Sequence, residues 1–332
     1  MDALTHGLAS YSITRAAFPR ASRTTLTAAI LAGAAADLDR LSEYIGPSAF
    51  LDWHRTATHS IVGTLVIAAA FLVAASLTTR HELTADPIRT VFLALLAACS
   101  LHVAMDLSQN ASVQVLWPFR AQRYSADWVA HFDLWILLIF LAGVLLPQLL
   151  ALVTEEIGAK SKAPRGRIGA IIALLGVFIY IGTRLILHGN AVAMMEARTY
   201  RGEVPRRVAA FAESDSPLHW HGIVETERAF HDLDLNLAPG SSFNPDAATI
   251  SYKPEPSAPL EAAGRTESVR RFLQAAKFPK ATVEKTNTGY RVQIRDLAEQ
   301  REARSGPRVI AIVETDPNAK VLSDELAWDQ KM

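Results

Sequence analysis

The sequence predicts a multi-pass α-helical membrane domain followed by a small α+β domain with a mainly antiparallel sheet. Three observations carry that prediction. Four long apolar stretches crowd the first 188 of the 332 residues. After about residue 188 such runs stop, and charges, prolines and turn residues take over. Beyond that point, short segments alternate apolar and polar side chains as strands do. The domains are therefore drawn as 1–188, helical and membrane-embedded, and 189–332, soluble and α+β.

Ser60 to Thr79 is uncharged over twenty positions, and Leu134 to Thr154 over twenty-one. Ile168 to Leu187 carries only Arg184, and Thr90 to Met105 only His102. A helix of about 20 mainly apolar residues crosses a bilayer, so these four read as spans. Leu26 to Ala36 is too short alone; it reads as a marginal span, a re-entrant segment or a buried helix. Amphipathic Leu4 to Phe18 shares that ambiguity. No signal peptide is expected, because Asp2 stands where a basic n-region would and no cleavage site follows an apolar core. Cys99 is the single cysteine. It excludes an intramolecular disulfide and reads as a small buried residue. The formal net charge is zero, which argues against a nucleic-acid partner.

In the second domain Asn190 to Tyr200 can continue the last helix. His219 to Thr226, Ala229 to Leu235, Ala248 to Tyr252, Ala281 to Lys285, Tyr290 to Ile294 and Val309 to Val313 are strand-like, with a turn signal at Asn287-Thr288-Gly289. Ser257 to Ala276 places Leu260, Val269, Phe272, Leu273 and Ala276 at helical spacing.

Polar ligand-type residues recur at the ends of apolar segments: Asp2 with His6, Asp37 with Asp39, His54 with His59, and His102 with Asp106. Such side chains are costly near a bilayer, so their return to one level of successive segments points to one shared site, most simply a metal site. His102 and Asp106 are four apart, on one helix face, able to bind one ion or to pair with each other. Asp2 and His6 repeat that spacing, with a polar helix cap as the alternative. Asp37-Leu38-Asp39 brings two acceptors to a cation or simply ends a helix; carboxylates there need compensating positive charge, from a metal or from Arg40. In His54-Arg55-Thr56-Ala57-Thr58-His59-Ser60, two imidazoles flank an arginine before a helix, which offers metal ligands and an anion clamp together, or a basic interfacial loop. Asp133 opens the next apolar run as a ligand or as a partner that orients a ligand histidine. Asp127 and His131 are weaker candidates. Trp117, Phe119 and Tyr124 read as interfacial aromatics. His219 and His221 share a strand face, as a metal pair or as a solvated face.

With the clusters on one side, the opposite loops hold Arg15, Arg20, Arg23, Arg80, Arg89, Lys160, Lys162, Arg165 and Arg167, against Arg40, Arg55, Arg120 and Arg123. The positive-inside rule then puts the opposite loops in the cytoplasm and the clusters and the second domain on the outer side. Arg198, Arg201, Arg206 and Arg207 pull the other way. The chain has no HExxH, GxSxG or Walker motif.

Asp2-Ala3-Leu4-Thr5-His6, Ala36-Asp37-Leu38-Asp39, the 54–60 segment, His102-Val103-Ala104-Met105-Asp106 and Leu116-Trp117-Pro118-Phe119 resemble the bacterial inner-membrane metal-dependent hydrolases of the YdjM/YbcI type. Some of these carry a LexA-binding label. The resemblance covers about residues 1–150. The stretch Ser216 to Thr226 is similar to the downstream domain of longer members. Ala36 stands where that family usually has proline. The His102/Asp106 pair is also distantly similar to zinc-dependent phospholipase C.

The expected function is a membrane-bound hydrolase using a divalent ion, zinc first and manganese second, on a phosphoester or lipid-like substrate. The expected ligands are His6, Asp37, Asp39, His54, His59, His102 and Asp106. Arg55 is expected to stabilise developing negative charge, with Asp133 or Asp39 as general base. The alternative is a non-enzymatic regulatory protein with a structural metal or polar core, whose second domain binds a protein partner of unknown identity.

Overall fold

A computed structural model describes residues 1–78, 86–156, 166–299 and 307–329. The loop residues Arg80, Lys160, Lys162 and Arg165 lie outside the described residues. The chain divides into two units. One comprises Met1–Asp39 and Arg55–Ile186, the other Arg40–His54 and Leu187–Met332.

The first unit is helical. Its helices are α1 (Ala3–Ala17), α2 (Arg23–Ala35), α4 (Ile61–Thr78), α5 (Ile88–Leu107) and α6 (Leu134–Glu156), with most of α7 (Arg167–Glu196). Helix α3 (Pro47–Trp53) belongs to the second unit. Asp2 caps α1 by accepting from the Thr5 N–H at 3.0 Å, and Ser22 caps α2 through Thr25. All four segments expected to span are helical. Among the described residues, α5 and α7 alone are long and apolar enough by themselves to cross a membrane, and α4 joins them only together with the bent segment before it. In α6 the apolar stretch described, Leu134–Leu149, is shorter.

The two short segments of ambiguous reading, α1 and α2, pack against α5. Small residues permit it: Ala29, Ala32, Ala94 and Ala98 are each at most 1% exposed. At Gly33 an added Cβ would collide with the Ser10 side chain. The buried face of α1 is unusually polar, with Thr5, His6, Ser10, Ser12 and Thr14. That face carries the first candidate ligand.

The second unit holds two four-stranded antiparallel sheets rather than the single sheet expected. Strands β1 (Arg207–Ala212), β2 (His219–Glu225), β3 (Ala229–Asn236) and β4 (Thr249–Tyr252) form one meander. Strands β5 (Pro279–Thr286), β6 (Gly289–Asp296), β7 (Val309–Thr315) and β8 (Val321–Trp328) form the other. The helix expected over 257–276 is split into α8 (Ala258–Gly264) and α9 (Glu267–Ala275), because Thr266 takes extended backbone and restarts the helix. Val269, Phe272, Val292, Ala311 and Val313 form the core between α9 and the second sheet, and Phe50 and Leu51 of α3 pack against it.

Candidate metal centre

Four elements deliver the candidate residues. Helix α1 supplies His6. At Ala36 the end of α2 tightens into a 3-10 helix (Ala36–Tyr44), which carries Asp37 and Asp39 in its first turn. The turn before α4 supplies Arg55 and His59, and the last two turns of α5 supply His102 and Asp106.

His6, Asp37, His102 and Asp106 each offer one ligand atom, and those four atoms all lie within 4.8 Å of one another. The His6 and His102 rings stack with centroids 3.7 Å apart. His6 Nε2 sits 3.1 Å from Asp106 Oδ1. Asp37 is the partly exposed member, at 23%, while Asp106 is fully buried.

His59 joins this group through Nε2, 3.2 Å from both His102 Nε2 and Asp106 Oδ2. Its other nitrogen, Nδ1, lies 3.0 Å from Asp39 Oδ2. The same carboxylate oxygen accepts from the Arg55 backbone N–H at 2.8 Å and from Thr58 Oγ1 at 2.6 Å. Asp39 therefore faces His59 and its turn. A carboxylate on the far nitrogen of an imidazole is the usual way to fix a ligand histidine's orientation.

Asp106 is the hub. Its Oδ1 accepts from the Met1 amino group at 2.7 Å and from Gln109 Nε2 in a short contact. Arg55 Nη2 is 3.4 Å from Oδ2. Arg55 is only 3% exposed. Its guanidinium also donates to the Ala111 carbonyl and the Gln109 side-chain carbonyl, and meets His131 Nδ1 at 3.2 Å. Gln109 is the residue the sequence reading missed. It lies three positions after Asp106, just beyond the end of α5 at Leu107 and bridged to Val129, so helical spacing gave no signal for it.

The other sequence candidates lie elsewhere. Asp2 serves as the α1 cap. His54 falls in the second unit and stacks on Phe50, with ring centroids 4.6 Å apart. Asp133 caps α6, accepting from the Trp135 and Ile136 N–H groups, and accepts from the Tyr180 hydroxyl at 2.9 Å. Asp127 sits in the left-handed region with φ 61°. In the second unit, His221 pairs with Asp232 at 3.1 Å, and His219 is 46% exposed. Arg40 pairs with Glu43 along the 3-10 helix.

The electrostatics suit a cation. Burial alone would raise the Asp37 carboxyl, but the hydrogen bond from His59 leads the effects that outweigh it and hold it at about 2. Burial, assisted by the Met1 ammonium, lowers the His6 imidazole, which keeps it neutral and free to donate a lone pair. Burial raises the Asp133 carboxyl against the pull of Tyr180.

A divalent ion fits this donor set. His6 Nδ1, His102 Nδ1, Asp37 Oδ2 and Asp106 Oδ2 are buried atoms with no hydrogen-bond partner among the described residues. Asp106 Oδ2 has charged neighbours at ion-pair distance but no well-aligned donor. The imidazoles converge through Nε2 and Asp37 through Oδ1, so Asp106 Oδ2 is the orphan that lies at the point of convergence, and it calls for an explanation that packing does not supply. Two imidazoles and two carboxylates form a mixed nitrogen–oxygen set of the kind zinc takes, and manganese accepts it too.

No curated protein and no solved structure matches this chain. A family described as YdjM inner membrane protein does match, over residues 1–191. That span contains every residue of the cluster, all of α5, and α7 as far as residue 191. The chain thus belongs to the YdjM inner membrane protein family.

Proposed function

We propose that this protein is a multi-pass membrane hydrolase that uses a divalent ion, zinc first and manganese second, on a phosphoester or lipid-like substrate. The observation that carries the reading is the convergence of His6, Asp37, His102 and Asp106 within 4.8 Å. When bound, such an ion supplies Lewis acidity and a lowered water pKa. The chain's own residues do the rest. His6, Asp37, His102 and Asp106 hold the ion, and His59 turns Nε2 toward them while Asp39 holds its Nδ1. Asp39 is the preferred general base, acting directly or through His59. Asp133 is the weaker choice, because Asp39 meets His59 of the cluster directly while Asp133 serves the start of α6 and Tyr180. Arg55 offsets the carboxylate charge of Asp106 and, as that charge is drawn to the ion, the negative charge developing on a substrate.

Asp37, the partly exposed ligand, marks the side from which substrate arrives. The cluster sits at the ends of apolar helices, which favours an amphiphilic molecule over a freely soluble one. The arginine count of the loops supports placing the cluster and the second unit on the periplasmic side.

The test is elemental mass spectrometry on detergent-purified protein beside a His102→Ala/Asp106→Ala variant, followed by a screen of phosphoesters and phospholipids. Stoichiometric zinc or manganese that the variant lacks, with hydrolysis that it also lacks, is the expected result. Absence of metal in the parent protein after loading with either ion overturns the proposal.

A second reading, a structural ion in a non-catalytic regulatory protein, is favoured by one observation: His6, His102 and Asp106 are at most 2% exposed. A structural site is closed by four protein ligands, whereas a catalytic one keeps an open position. Cobalt substitution separates the two, since only an open site changes its visible spectrum when a small anion is added.

A further inference from the structure

Hydrolysis of an ester needs a base at the attacking water and an acid at the departing oxygen. In the reading above Asp39 meets the first need. The ligand residues are committed to the ion, so the second falls to a neighbour. His131 is placed for it. Every residue involved lies in the first unit.

One atom separates His131 from the ligands. Arg55 Nη2 lies 3.4 Å from Asp106 Oδ2 and 3.2 Å from His131 Nδ1, so a single guanidinium nitrogen links the hub of the cluster to this imidazole. The same Nδ1 is 3.1 Å from Gln109 Oε1, which can accept its proton. With both partners on Nδ1, the ring turns Nε2 away from them. His131 is half-buried, whereas His6, His59 and His102 are at most 2% exposed. Among these four imidazoles, His131 is the one that reaches the surface.

The backbone is held on both sides of the ring. Val129 is fully buried, and its N–H donates to the Ser108 carbonyl at 3.1 Å. The Asp127 N–H donates to the Gln109 carbonyl at 3.2 Å, and Arg184 of α7 donates to the Trp128 carbonyl at 3.0 Å. Asp133, two residues after His131, caps α6. An acid set in place before substrate arrives spares the reaction the entropy of positioning it. Phe132 and Trp135 are 44% and 43% exposed, apolar surface suited to the alkyl part of a departing alcohol.

We propose that His131 is the general acid of this site and protonates the alcohol that leaves when a phosphoester is hydrolysed. This rests on the hydrolase reading above. A bond forms between the water oxygen and phosphorus, and the bond from phosphorus to the ester oxygen breaks. The electron pair stays with that ester oxygen, which takes the proton from Nε2. Asp39 takes the proton that water loses, and exchange with solvent returns both groups to their starting states. Gln109 Oε1 holds the Nδ1 proton throughout, so only Nε2 changes state.

The experiment uses the full chain in detergent, loaded with zinc, and two probes that differ in leaving group. The nitrophenolate of bis(p-nitrophenyl) phosphate departs without help, and the alkoxide of a short-chain phosphatidylcholine does not. His131→Ala removes the ring. His131→Asn keeps an amide beside Arg55 and Gln109 but cannot pass on a proton. Both variants are expected to hold zinc as the parent does. On the phospholipid both should lose about 10²–10⁴-fold in kcat, and on the nitrophenyl ester less than about tenfold. Equal losses on the two probes overturn the proposal, as does a His131→Asn variant that keeps the parent's phospholipid rate. A parent protein that cleaves only the nitrophenyl ester overturns it too, because no acid is then at work. A parent that cleaves neither probe fails differently: it removes the hydrolase reading itself, and this proposal with it.

Discussion

Asp106 offers the sharpest perturbation, because it is both the hub of the buried network and a proposed ligand. Replacing it with alanine leaves the buried Arg55 guanidinium and the Met1 amino group without their carboxylate. Breaking a buried ion pair by removing one partner costs about 3–5 kcal/mol. At roughly 2–4 °C per kcal/mol for a unit of this size, the metal-free variant should melt roughly 6–20 °C lower. Asp106→Asn keeps the shape and one oxygen acceptor, so it should lose less. The metal adds a separable term. An ion at 100 times its Kd stabilises the folded form by about 2.7 kcal/mol, roughly 5–11 °C here. The parent protein should show that rise on adding zinc, and neither variant should. The assay is thermal unfolding in detergent, with a chelator and then with zinc, followed by tryptophan fluorescence. An Asp106→Asn protein whose zinc-induced rise equals that of the parent would refute Asp106 as a ligand, however unstable the alanine variant proved.

Four further outcomes follow from the geometry. His59→Ala should weaken metal binding more than His54→Ala, since His59 Nε2 faces the cluster and His54 stacks on Phe50; isothermal titration compares them. Gln109→Ala should cost about 10–100-fold in metal affinity without removing the site, as loss of a ligand's partner does, read by competition with a chromophoric chelator. Tyr180→Phe strips a donor from buried Asp133 and should destabilise the first unit by about 1–3 kcal/mol in denaturant melts without lowering metal content. In chelator, acid should destabilise the protein in two steps. His6, lowered on folding, favours the unfolded chain as pH falls below about 6.5. Asp37, held at about 2, contributes stability above its ordinary value near 3.8 that is lost as pH falls from there toward 2. In each window the group named binds more protons in the unfolded chain, so its own contribution rises with pH. A melting temperature that does not fall as pH drops from about 4 to about 2 would contradict the Asp37 step.

Legibility tracked the strength of the local signal. Long uncharged runs of this length read as helix, so α4 to α6 were readable to within a few residues, while α7 runs on past the expected end at Leu187 to Glu196. Whether each crosses a membrane is a separate matter of length and composition, which α5 and α7 meet by themselves among the described residues. β6, with alternating burial, was legible in the same way, and β2 through its alternating side-chain types although Trp220 to Val224 are all buried. Strands β1 and β8 were not. β8 runs along a sheet edge with five consecutive exposed residues, so nothing in Val321-Leu322-Ser323-Asp324-Glu325 had to alternate. β1 is likewise an edge strand, and its alanines carry little pattern. Two sheets were read as one because nothing local says that β4 ends a meander.

The site shows the same division between chemistry and geometry. Residue type and helical spacing singled out His6, Asp37, His102 and Asp106, and those four converge. His54 and His59 looked equivalent in sequence, five residues apart on either side of Arg55. The backbone separates them, because Arg55 sits at φ 59° and turns the chain sharply between the two. A non-glycine residue in that conformation is held there by its surroundings. Here its N–H bonds to Asp39, and its guanidinium is fixed by Ala111, Gln109 and Asp106. The turn thus depends on the cluster that it helps to build. That reciprocity is why neither histidine could be assigned from spacing alone. It also makes Arg55→Gly an informative control: the turn should survive, since glycine adopts positive φ freely, while Asp106 loses its buried counter-charge. Metal binding that survives Arg55→Gly would leave Arg55 no part beyond shaping the turn.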